Sequence, residues 1–398
     1  GWMLCVKCES PMTTIRTAII GTGFMTWVHA DALRRNGVEV YGILGSSFQK
    51  SESAAQQLAV PHAYRDLDEL LSDRNIDCVH VCTPNRSHFE IVTKAIAAGK
   101  HVLCEKPLAM TSGESAELKS LAEKHLELCT AVNYNIRFYP LCAEVRSRLQ
   151  SGSLGDIFHI DGSYVQDWLL KQTDYNWRVL ADEGGALRAV ADIGTHWLDL
   201  IRWMTGLEVD EVFADLVTVH PTRIRPAGEV VTFSGKESPA GSARDGSEVP
   251  ISTDDYGAIL LKFADGARGT LHVSQVTAGR KNCLRFEIAG SKGAVAWDSE
   301  SPNSLWLGHR DVANEQLIRD PTLLSADARI HAAHPGGHNE GYGDSFRACF
   351  AAFYADVRRD RGSRIGGYPT FADGHREIQL CEAVLRSHQQ GKWVPVGI

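Results

Sequence analysis

Three side chains that can hold or exchange protons stand at the ends of predicted elements: Lys106, Asp192 and His196. Lys106 follows the short apolar run HVLC, and a lysine is rarely placed at the end of a buried strand without a partner or a chemical role. Asp192 and His196 are four residues apart in ADIGTHWLDL, which places both side chains on one face of a helix. An imidazole is the best proton acceptor near pH 7, and an ammonium can hydrogen-bond a reacting oxygen, so this set predicts acid/base chemistry.

Each of these residues also has a purely structural interpretation. Lys106 can be a surface lysine at a strand end. Asp192 can cap a helix that Gly206 then terminates. Spacing alone does not decide between the two interpretations, so other segments of the chain must.

A glycine turn stands near the start of the chain's regular part. In AIIGTGFMTWVHADAL, Gly21 and Gly23 lie between a predicted strand and a predicted helix. Gly21 permits the tight turn, and Gly23 lets the backbone approach a pyrophosphate whose charge meets the helix N-terminus. The third fingerprint position is Thr26 instead of glycine or alanine, so an ordinary structural turn is the alternative. The cofactor-binding residues predicted at this turn are Gly21, Thr22, Gly23, Phe24 and Met25.

The end of the second predicted strand has no acid at the position that usually binds the ribose 2′-hydroxyl of a dinucleotide. The sequence there is GILGSSFQKSE, and Ser46, Ser47 and Lys50 are the predicted cofactor contacts. Lys50 either attracts a 2′-phosphate or is a solvated residue at a helix start. This segment therefore does not separate NAD from NADP.

Short apolar runs alternate with amphipathic stretches over residues 15–130, which predicts βαβ units and a doubly wound parallel sheet. After about residue 136, longer alternating runs joined by turns such as ADGARG predict a large, mostly antiparallel open sheet with helices. Within it, residues 221–252 are rich in glycine, proline and serine and predict a long loop. The predicted fold class is α/β, with a tag-like or disordered extension (1–12), a dinucleotide-binding domain (13–136) and a substrate-binding and oligomerisation domain (137–398).

Composition narrows the possible partners. The 398 residues are 43% hydrophobic and 23% charged, with a net charge of −8, and no basic stripe indicates nucleic acid binding. No apolar run approaches the roughly 20 residues that cross a bilayer, so no membrane partner is expected. The ten cysteines are scattered, mostly in apolar contexts, which predicts reduced thiols and a cytoplasmic protein. Cys5 and Cys8 form a CxxC without a second pair, so no metal site is expected.

Five motifs in order resemble the GFO/IDH/MocA family of oxidoreductases, the relatives of glucose–fructose oxidoreductase and inositol dehydrogenase. They are GTGFMTWVHADAL, CTPNRSH, EKPLA, NYNIRFYP and DIGTHWLDL, and the resemblance covers nearly the whole chain from residue 15. It implies a Rossmann domain followed by an α/β domain, a nicotinamide cofactor, and hydride transfer at a sugar or cyclitol carbinol. It also implies homo-oligomers, dimers or tetramers, that pack through the open sheets.

Three further segments resemble a subgroup that includes levoglucosan dehydrogenase and glycoside-oxidising enzymes: QDWLLKQTDYNWR, GRKNCLRFEIAGSKGAVAWDSE and HPGGHNEGYGDSF. This second resemblance favours NAD, with NADP as the alternative. It also favours a glucose-like ring that is blocked at its anomeric carbon.

Other candidate residues follow strand ends, which face the cofactor in such sheets. CTPNRSH follows a predicted strand, although an ordinary loop with a histidine at the helix start is the alternative. The family pattern places Glu105 near the ribose, and indole faces suit the C–H faces of sugars. The further predicted cofactor contacts are Thr83, Pro84, Asn85, His88, Glu105, Lys106 and Asn133. The predicted substrate contacts are Tyr134, Arg137, Trp168, Trp177, Arg178, Asp192, His196, His338 and Glu340.

The resemblance and the residue chemistry together predict a mechanism. His196 takes the hydroxyl proton, Asp192 orients the site or helps to bind the sugar, and Lys106 polarises the oxygen while the carbinol hydride passes to the nicotinamide. Partial burial beside a positive nicotinamide ring would favour a neutral Lys106. Two alternatives remain: an enzyme that retains its NAD and uses transient oxidation for elimination or hydrolysis of glycosides, and a non-catalytic nucleotide-binding regulator.

Overall fold

The computed structural model describes residues 14–228 and 246–397. The predicted extension with Cys5 and Cys8, and the middle of the predicted loop 221–252, lie outside the described residues. The described chain builds a parallel sheet, a larger mixed sheet and helices packed on both, so the predicted fold class is confirmed.

The first domain is a doubly wound parallel sheet. Its strands are β1 (Arg16–Ile20), β2 (Glu39–Leu44), β3 (His62–Tyr64), β4 (Cys78–Val81), β5 (His101–Cys104) and β6 (Thr130–Val132). Its helices are α1 (Phe24–Arg35), α2 (Phe48–Leu58), α3 (Leu67–Ser72), α4 (His88–Ala97) and α5 (Ser112–Lys124). All described pairings are parallel, in the order β3-β2-β1-β4-β5-β6. The sequence analysis missed β3, because three residues that begin with an exposed histidine carry no periodic signal.

The strand order of this sheet reverses between β1 and β4. In open α/β sheets a ligand binds in the crevice beyond the carboxyl ends of the strands at such a point. Gly21 follows β1, Thr83 closely follows β4, and Glu105 follows β5. The fold therefore gathers the predicted cofactor residues at one edge of the sheet.

The second domain is built on a large mixed sheet. The remaining strands are β7 (Ile157–Val165), β8 (Val209–Val217), β9 (Thr222–Arg225), β10 (Ser247–Pro250), β11 (Tyr256–Phe263), β12 (Arg268–Ser274), β13 (Cys283–Gly290), β14 (Ala294–Asp298), β15 (Ser304–Gly308), β16 (Glu315–Ile318) and β17 (Val394–Pro395). The remaining helices are α6 (Pro140–Gln150), α7 (Ala181–Gly184), α8 (Thr195–Thr205), α9 (Ala326–Arg329), α10 (Tyr342–Val357) and α11 (Phe371–Gln390). The order is β16-β15-β14-β13-β7-β12-β11-β8-β17, and the β7–β12 pairing is parallel whereas the other described pairings are antiparallel.

One face of the large sheet is covered and the other is open. On the covered face Trp197 of α8 is fully buried, and its indole Nε1 donates to the Arg285 carbonyl oxygen at 2.9 Å. Along β8 and β11 buried and more exposed residues largely alternate, and Val217 and Leu260 are exposed. This alternation is the pattern expected of a sheet with a single buried face.

Two sequence-based expectations for this domain differ from the structure. The run predicted as a strand over 157–170 leaves the sheet after Val165, so Trp168 lies in a loop. The predicted loop 221–252 contains an antiparallel pair, β9 with β10, at its two ends. Both differences lie in segments that are too short to show a clear periodicity.

Helix α10 packs against the first domain although it lies far along the chain. Phe346, Phe350 and Phe353 belong to the same apolar cluster as Ile19 of β1 and Leu33 of α1. A division of the chain at residue 136 therefore separates the two sheets but not the packing of their helices.

Neither a membrane-crossing helix nor a disulfide bond is found among the described residues. None of the helices in 14–228 and 246–397 combines the length and the apolarity that a bilayer crossing requires. Eight cysteines fall in this part of the chain, and all eight are free thiols.

Candidate active site

The glycine turn leaves the N-terminus of α1 open to an anion. Gly21 has a φ of +124°, and a Cβ there would meet the Cys82 carbonyl oxygen at 2.5 Å, so the position requires glycine. Gly23 precedes α1 without a side-chain cap, and a Cβ there would meet no described atom within 4 Å. No acid lies in the first turn of α1. A helix start without a side-chain cap, open space at Gly23 and no acid in the first turn fit a dinucleotide pyrophosphate at this turn.

Alanine in place of Gly21 is expected to lower stability, whereas alanine in place of Gly23 is expected to weaken NAD binding. G21A combines a disfavoured φ with a backbone clash, so its free energy of unfolding should fall by about 1–3 kcal/mol. G23A should keep the stability of the parent chain, because its methyl enters open space, but it should weaken NAD binding about tenfold or more by filling the pyrophosphate position. Thermal unfolding and a fluorescence titration with NAD measure the two effects. Unchanged NAD affinity in G23A would show that this turn does not hold the pyrophosphate.

The rim beyond β2 contains the predicted adenosine-side residues. Ser46, Ser47 and Lys50 are all exposed. The Ser47 hydroxyl caps α2 by accepting a hydrogen bond from the Lys50 backbone nitrogen at 3.3 Å. The sequence analysis did not predict this cap, so Ser47 has a structural role besides any contact with a cofactor.

Lys106 and Asp192 meet although they lie 86 residues apart. The Lys106 ammonium Nζ donates to the Asp192 carboxylate Oδ1 at 2.7 Å and to its backbone oxygen at 2.7 Å. The other carboxylate oxygen, Oδ2, accepts from Nε2 of the buried Gln275 at 2.8 Å, and Arg178 Nε lies 3.7 Å from Oδ1. Burial opposes ionisation of Asp192, but Lys106 and Arg178 outweigh it and lower its pKa.

Asp192 does not cap a helix. It lies inside a π-helical turn, Val190–Gly194, that leads directly into α8. A wider turn of this kind changes the direction of its side chains, and such turns are frequent at functional sites. The expected C-cap is present, since Gly206 ends α8 in the left-handed conformation with φ 72°.

His196 lies between two tyrosine rings beside this ion pair. Its ring centroid is 5.5 Å from that of Tyr134 and 6.2 Å from that of Tyr164, edge-on in both cases. Its Nδ1 is buried and has no hydrogen-bond partner among the described residues. Burial and then the charge of Lys106 lower the pKa of His196 to about 3. The ring is therefore neutral across the physiological range and does not titrate near pH 6.5.

Glu105 is a buried carboxylate held by several donors. Its Oε1 accepts from His29 Nε2 at 2.8 Å and from Asn133 Nδ2 at 2.6 Å, and its Oε2 accepts from the Lys106 backbone nitrogen at 3.2 Å. Burial raises the pKa of this carboxyl, but the bond from His29 leads the opposing effects, which bring it down to about 2. Glu105 is thus ionised and is tied to the backbone of the adjacent lysine.

The residues after β4 divide into two groups. Thr83, Pro84 and Asn85 are partly exposed at the strand end, and Asn85 Nδ2 donates to the Gly184 carbonyl oxygen at 2.9 Å, which links the two domains. His88 has no exposed surface, and its Nδ1 and Nε2 lie 2.7 and 3.0 Å from the carbonyl oxygens of Pro107 and Thr83. His88 therefore holds two strand-end loops together and is not positioned to touch a cofactor, which corrects its predicted role.

Three predicted substrate residues do come together. The guanidinium carbon of Arg178 lies 4.4 Å from the ring centroid of Trp177 and 5.9 Å from that of Trp168, and its Nε approaches Asp192. Trp168 Nε1 donates to Gln166 Oε1 at 2.7 Å, which orients the indole. Two aromatic faces and a cation thus border the Lys106–Asp192 pair.

Arg137 and Glu340 have structural roles instead of the predicted substrate contacts. Arg137 is buried, donates to Asp199 Oδ2 at 2.7 Å and lies 3.3 Å from Asp373. Glu340 is buried, and its two oxygens accept from Arg319 at 2.7 Å and from the Ala333 backbone nitrogen at 2.7 Å. Charged groups this deeply buried need partners, and these partners occupy them.

Tyr134 and His338 are the two remaining residues that were predicted to contact the substrate, and their surroundings differ. Tyr134 is buried against His196, so it contacts the candidate base and not open space. His338 is exposed, and its Nδ1 lies 3.3 Å from the Gly336 carbonyl oxygen. No described contact joins His338 to the Lys106–Asp192 pair, so its role stays a prediction.

Sequence reasoning missed three residues of the site. Gln275 binds Asp192 and has no neighbouring motif that would mark it. His29 binds Glu105 and lies within the motif GTGFMTWVHADAL, but the glycines of that motif, not the histidine, were predicted as functional. Tyr342 lies 39% exposed at the start of α10, with its hydroxyl 4.0 Å from Met25 Sδ of the glycine turn. Desolvation, together with the nearby carboxylates of Glu105 and Asp192, raises the pKa of Tyr342. Tyr342 belongs to the glycine-rich segment HPGGHNEGYGDSF, in which Glu340 is held by Arg319.

Buried histidines make the stability of the chain depend on pH. Burial, with a nearby cation, lowers the pKa of His101 and of His331 to about 4, and His196 behaves in the same way. Below about pH 6.5 these histidines bind protons in the unfolded chain but remain unprotonated in the folded chain. The free energy of unfolding should then fall by about 1.4 kcal/mol per pH unit for each such histidine. Glu377, whose pKa burial raises to about 8, acts in the opposite direction, as do Asp199 and Asp254, whose pKa values burial also raises.

Thermal unfolding at about pH 7 and about pH 5 measures this dependence, and the midpoint is expected to be lower at the acidic pH. H101Q should flatten the dependence by roughly one histidine. The matched control is H62Q, which removes an exposed histidine of the same domain and should leave the dependence unchanged. Equal midpoints at both pH values would contradict the expectation.

The chain is similar to known oxidoreductases over most of its length. Family models match residues 15–134 (oxidoreductase family, NAD-binding Rossmann fold) and residues 142–296 (GFO/IDH/MocA C-terminal domain). Levoglucosan dehydrogenase of Pseudarthrobacter phenanthrenivorans is 27% identical over 97% of this chain and 99% of its own. An uncharacterised oxidoreductase of Schizosaccharomyces pombe, C115.03, is 35% identical over 71% of this chain and 70% of its own. A solved structure of levoglucosan dehydrogenase in complex with NADH and L-sorbose superposes with a TM-score of 0.85, at 26% identity, over 97% of this chain and 100% of that chain.

Proposed function

The chain belongs to the GFO/IDH/MocA family of oxidoreductases, and from that premise we propose that it is an NAD-dependent dehydrogenase of a sugar, anhydrosugar or glycoside hydroxyl. The observation that carries the proposal is the contact of Lys106 with Asp192, made at 2.7 Å between the two domains and beside a neutral His196. An ammonium donor, a carboxylate that orients it and an imidazole acceptor are the groups that oxidation of an alcohol requires.

The residues divide the chemistry between them. A bound nicotinamide cofactor would supply the acceptor for the hydride of the carbinol carbon. The neutral imidazole of His196 takes the hydroxyl proton, while the ammonium of Lys106 donates a hydrogen bond to the oxygen as negative charge develops on it. Asp192 holds the ammonium in place and Gln275 holds Asp192. Gly21, Gly23 and Asn133 border the cofactor side of this arrangement, and Trp168, Trp177 and Arg178 border its substrate side.

NAD is the proposed cofactor, because the levoglucosan dehydrogenase that resembles this chain over its length has a structure with NADH. The end of β2 carries no acid, so no charge there repels the 2′-phosphate of NADP, and Lys50 is exposed at that rim. The proposed substrate is a glucose-like ring, in line with the printed names of the relatives and with the two indoles beside Arg178.

The proposal is tested by mixing the purified protein with NAD or NADP and a panel of levoglucosan, myo-inositol, glucose and a methyl glucoside. Multiple turnovers, measured by the absorbance of the reduced nicotinamide, are the expected result. Reduction of one equivalent without turnover would instead support an enzyme that retains its NAD for elimination or hydrolysis. Nucleotide binding without any response to sugars would support a regulator and overturn the dehydrogenase.

We also propose that copies of the chain associate through the open face of the large sheet, where Val217 and Leu260 are exposed. Sedimentation analysis of the parent chain and of L260E tests this, and a dimer or tetramer that L260E dissociates is the expected result. A parent chain that sediments as a monomer would contradict it. The cytoplasmic location stays a prediction.

A further inference from the structure

A chain of buried hydrogen bonds leads from Glu105 into the core of the first domain. His29 Nε2 donates to Glu105 at 2.8 Å, and His29 Nδ1 lies 2.9 Å from His80 Nδ1. His80 Nε2 lies 2.9 Å from the hydroxyl of Tyr354, which lies 2.7 Å from the hydroxyl of Thr17. This series of hydrogen bonds therefore joins α1, β4, α10 and β1 to the candidate active site.

The carboxylate of Glu105 fixes the first proton of this series of hydrogen bonds, and the tautomer of His80 then sets the others. An ionised carboxylate only accepts, so His29 must carry a proton on Nε2. Burial holds the pKa of His80 well below its usual value, so the His80 ring is neutral and donates from a single nitrogen. When His80 donates from Nδ1 to His29, its Nε2 accepts from Tyr354, and Tyr354 accepts from Thr17. In that arrangement every donor points towards Glu105.

Core packing alone does not account for such a chain. Thr17, His29, His80 and Tyr354 have no exposed surface, and the rings of both histidines lie 4.9 Å from that of Phe350. Apolar side chains of similar shape would be about as stable here, because buried polar groups gain little over the water that they give up. Only polar side chains supply a hydrogen-bond donor at a fixed position beside the buried carboxylate of Glu105.

We propose that His29 and His80 are positioning residues for Lys106. They hold Glu105 in one orientation, and Glu105 in turn accepts from the Lys106 backbone nitrogen at 3.2 Å and from Asn133. The inference rests on the function proposed above for Lys106. A displacement of a catalytic group by about 1 Å can cost about 100-fold in rate. Loss of one of these hydrogen bonds would therefore lower the rate, although His29 and His80 do not touch the substrate.

The first test compares two replacements of His29 in the full-length protein. H29L removes the donor to Glu105 and is expected to lower kcat about 10- to 100-fold, with the KM for sugar and the affinity for NAD within about threefold of the parent. H29Q keeps an N–H donor near the position of Nε2 and is expected to recover most of the lost kcat. Equal kcat in H29L and the parent, or an equal loss in both variants, would overturn the proposal.

A second test does not depend on the folding of H29L, and its NMR part does not depend on activity. Nitrogen NMR of histidine-labelled protein is expected to show His29 protonated on Nε2 and His80 protonated on Nδ1. Y354F should remove the preference at His80 and lower kcat about threefold or more, because it removes the donor to Nε2. The matched control is Y64F, which removes a part-buried hydroxyl that donates to Asp73, away from the His29–His80–Tyr354 hydrogen bonds, and should change neither measurement.

The two tests separate failure of this inference from failure of the proposed function. A parent chain that oxidises no sugar would refute the function, and the inference would then be decided by NMR and by a crystal structure of H29L. Displacement of Glu105 and loss of the 2.7 Å contact between Lys106 and Asp192 in H29L would support it. An unchanged contact, or a proton on His80 Nε2 in the parent chain, would overturn it.

Discussion

K106M is expected to lower kcat/KM for the sugar about 1000-fold, while the affinity for NAD stays within about threefold. Methionine keeps a side chain of similar length but cannot donate to the reacting oxygen. The ammonium is a pre-positioned charge, held at 2.7 Å from Asp192, so it stabilises the developing oxyanion without reorganisation. Steady-state kinetics and a fluorescence titration with NAD measure the two quantities.

The control for K106M is K94M. Lys94 lies on α4, is exposed, and pairs with Glu90 one turn away, so its replacement removes the same charge far from the reaction. Its kinetics should match those of the parent chain. A K106M variant that retains kcat/KM within about threefold would remove Lys106 from the mechanism.

H196N is expected to lower kcat about 100- to 1000-fold, with a smaller change in the KM for sugar. Asparagine preserves a polar side chain but offers no nitrogen that accepts a proton. The parent chain should also show no loss of kcat/KM centred near pH 6.5, since the pKa of His196 is lowered to about 3 and the ring is already neutral at all higher pH values.

The control for H196N is H159N, which alters an exposed histidine of β7 that pairs with Asp161 at 2.6 Å. Its pH profile and kcat should equal those of the parent chain. Two outcomes would contradict the assigned role: an H196N variant with parental kcat, or a parental profile with a midpoint near 6.5 that H196N abolishes.

Local conformations that depend on neighbouring residues were predicted well. Gly21 and Gly23 follow a strand and precede a helix, and the conformation of such a turn depends on its own few residues. The parallel sheet followed from alternation of apolar strands with amphipathic helices, since each pattern reports which face of its own element is buried. The short strand β3 and the π-helical turn at Asp192 escaped because neither repeats long enough to produce a period.

Residues whose function depends on distant partners were predicted less well. Arg137 and Glu340 were expected at the substrate, but Asp199 lies 62 positions from the first and Arg319 lies 21 positions from the second. No residue near Arg137 or Glu340 in the sequence indicates that these partners exist. His29 and Gln275 were missed for the same reason, because the groups that they orient belong to other elements.

By itself, the sequence determined the order of strands and helices, the glycine turn and the identities of the proton-carrying residues, because these depend on neighbours along the chain. Only the tertiary structure decided which charges neutralise one another. It brought Asp192 to Lys106 across 86 residues, and it placed His196 where burial keeps the ring neutral. The physical reason is that a charge or an imidazole takes its state from the groups and solvent around it, and folding, not sequence distance, sets those surroundings.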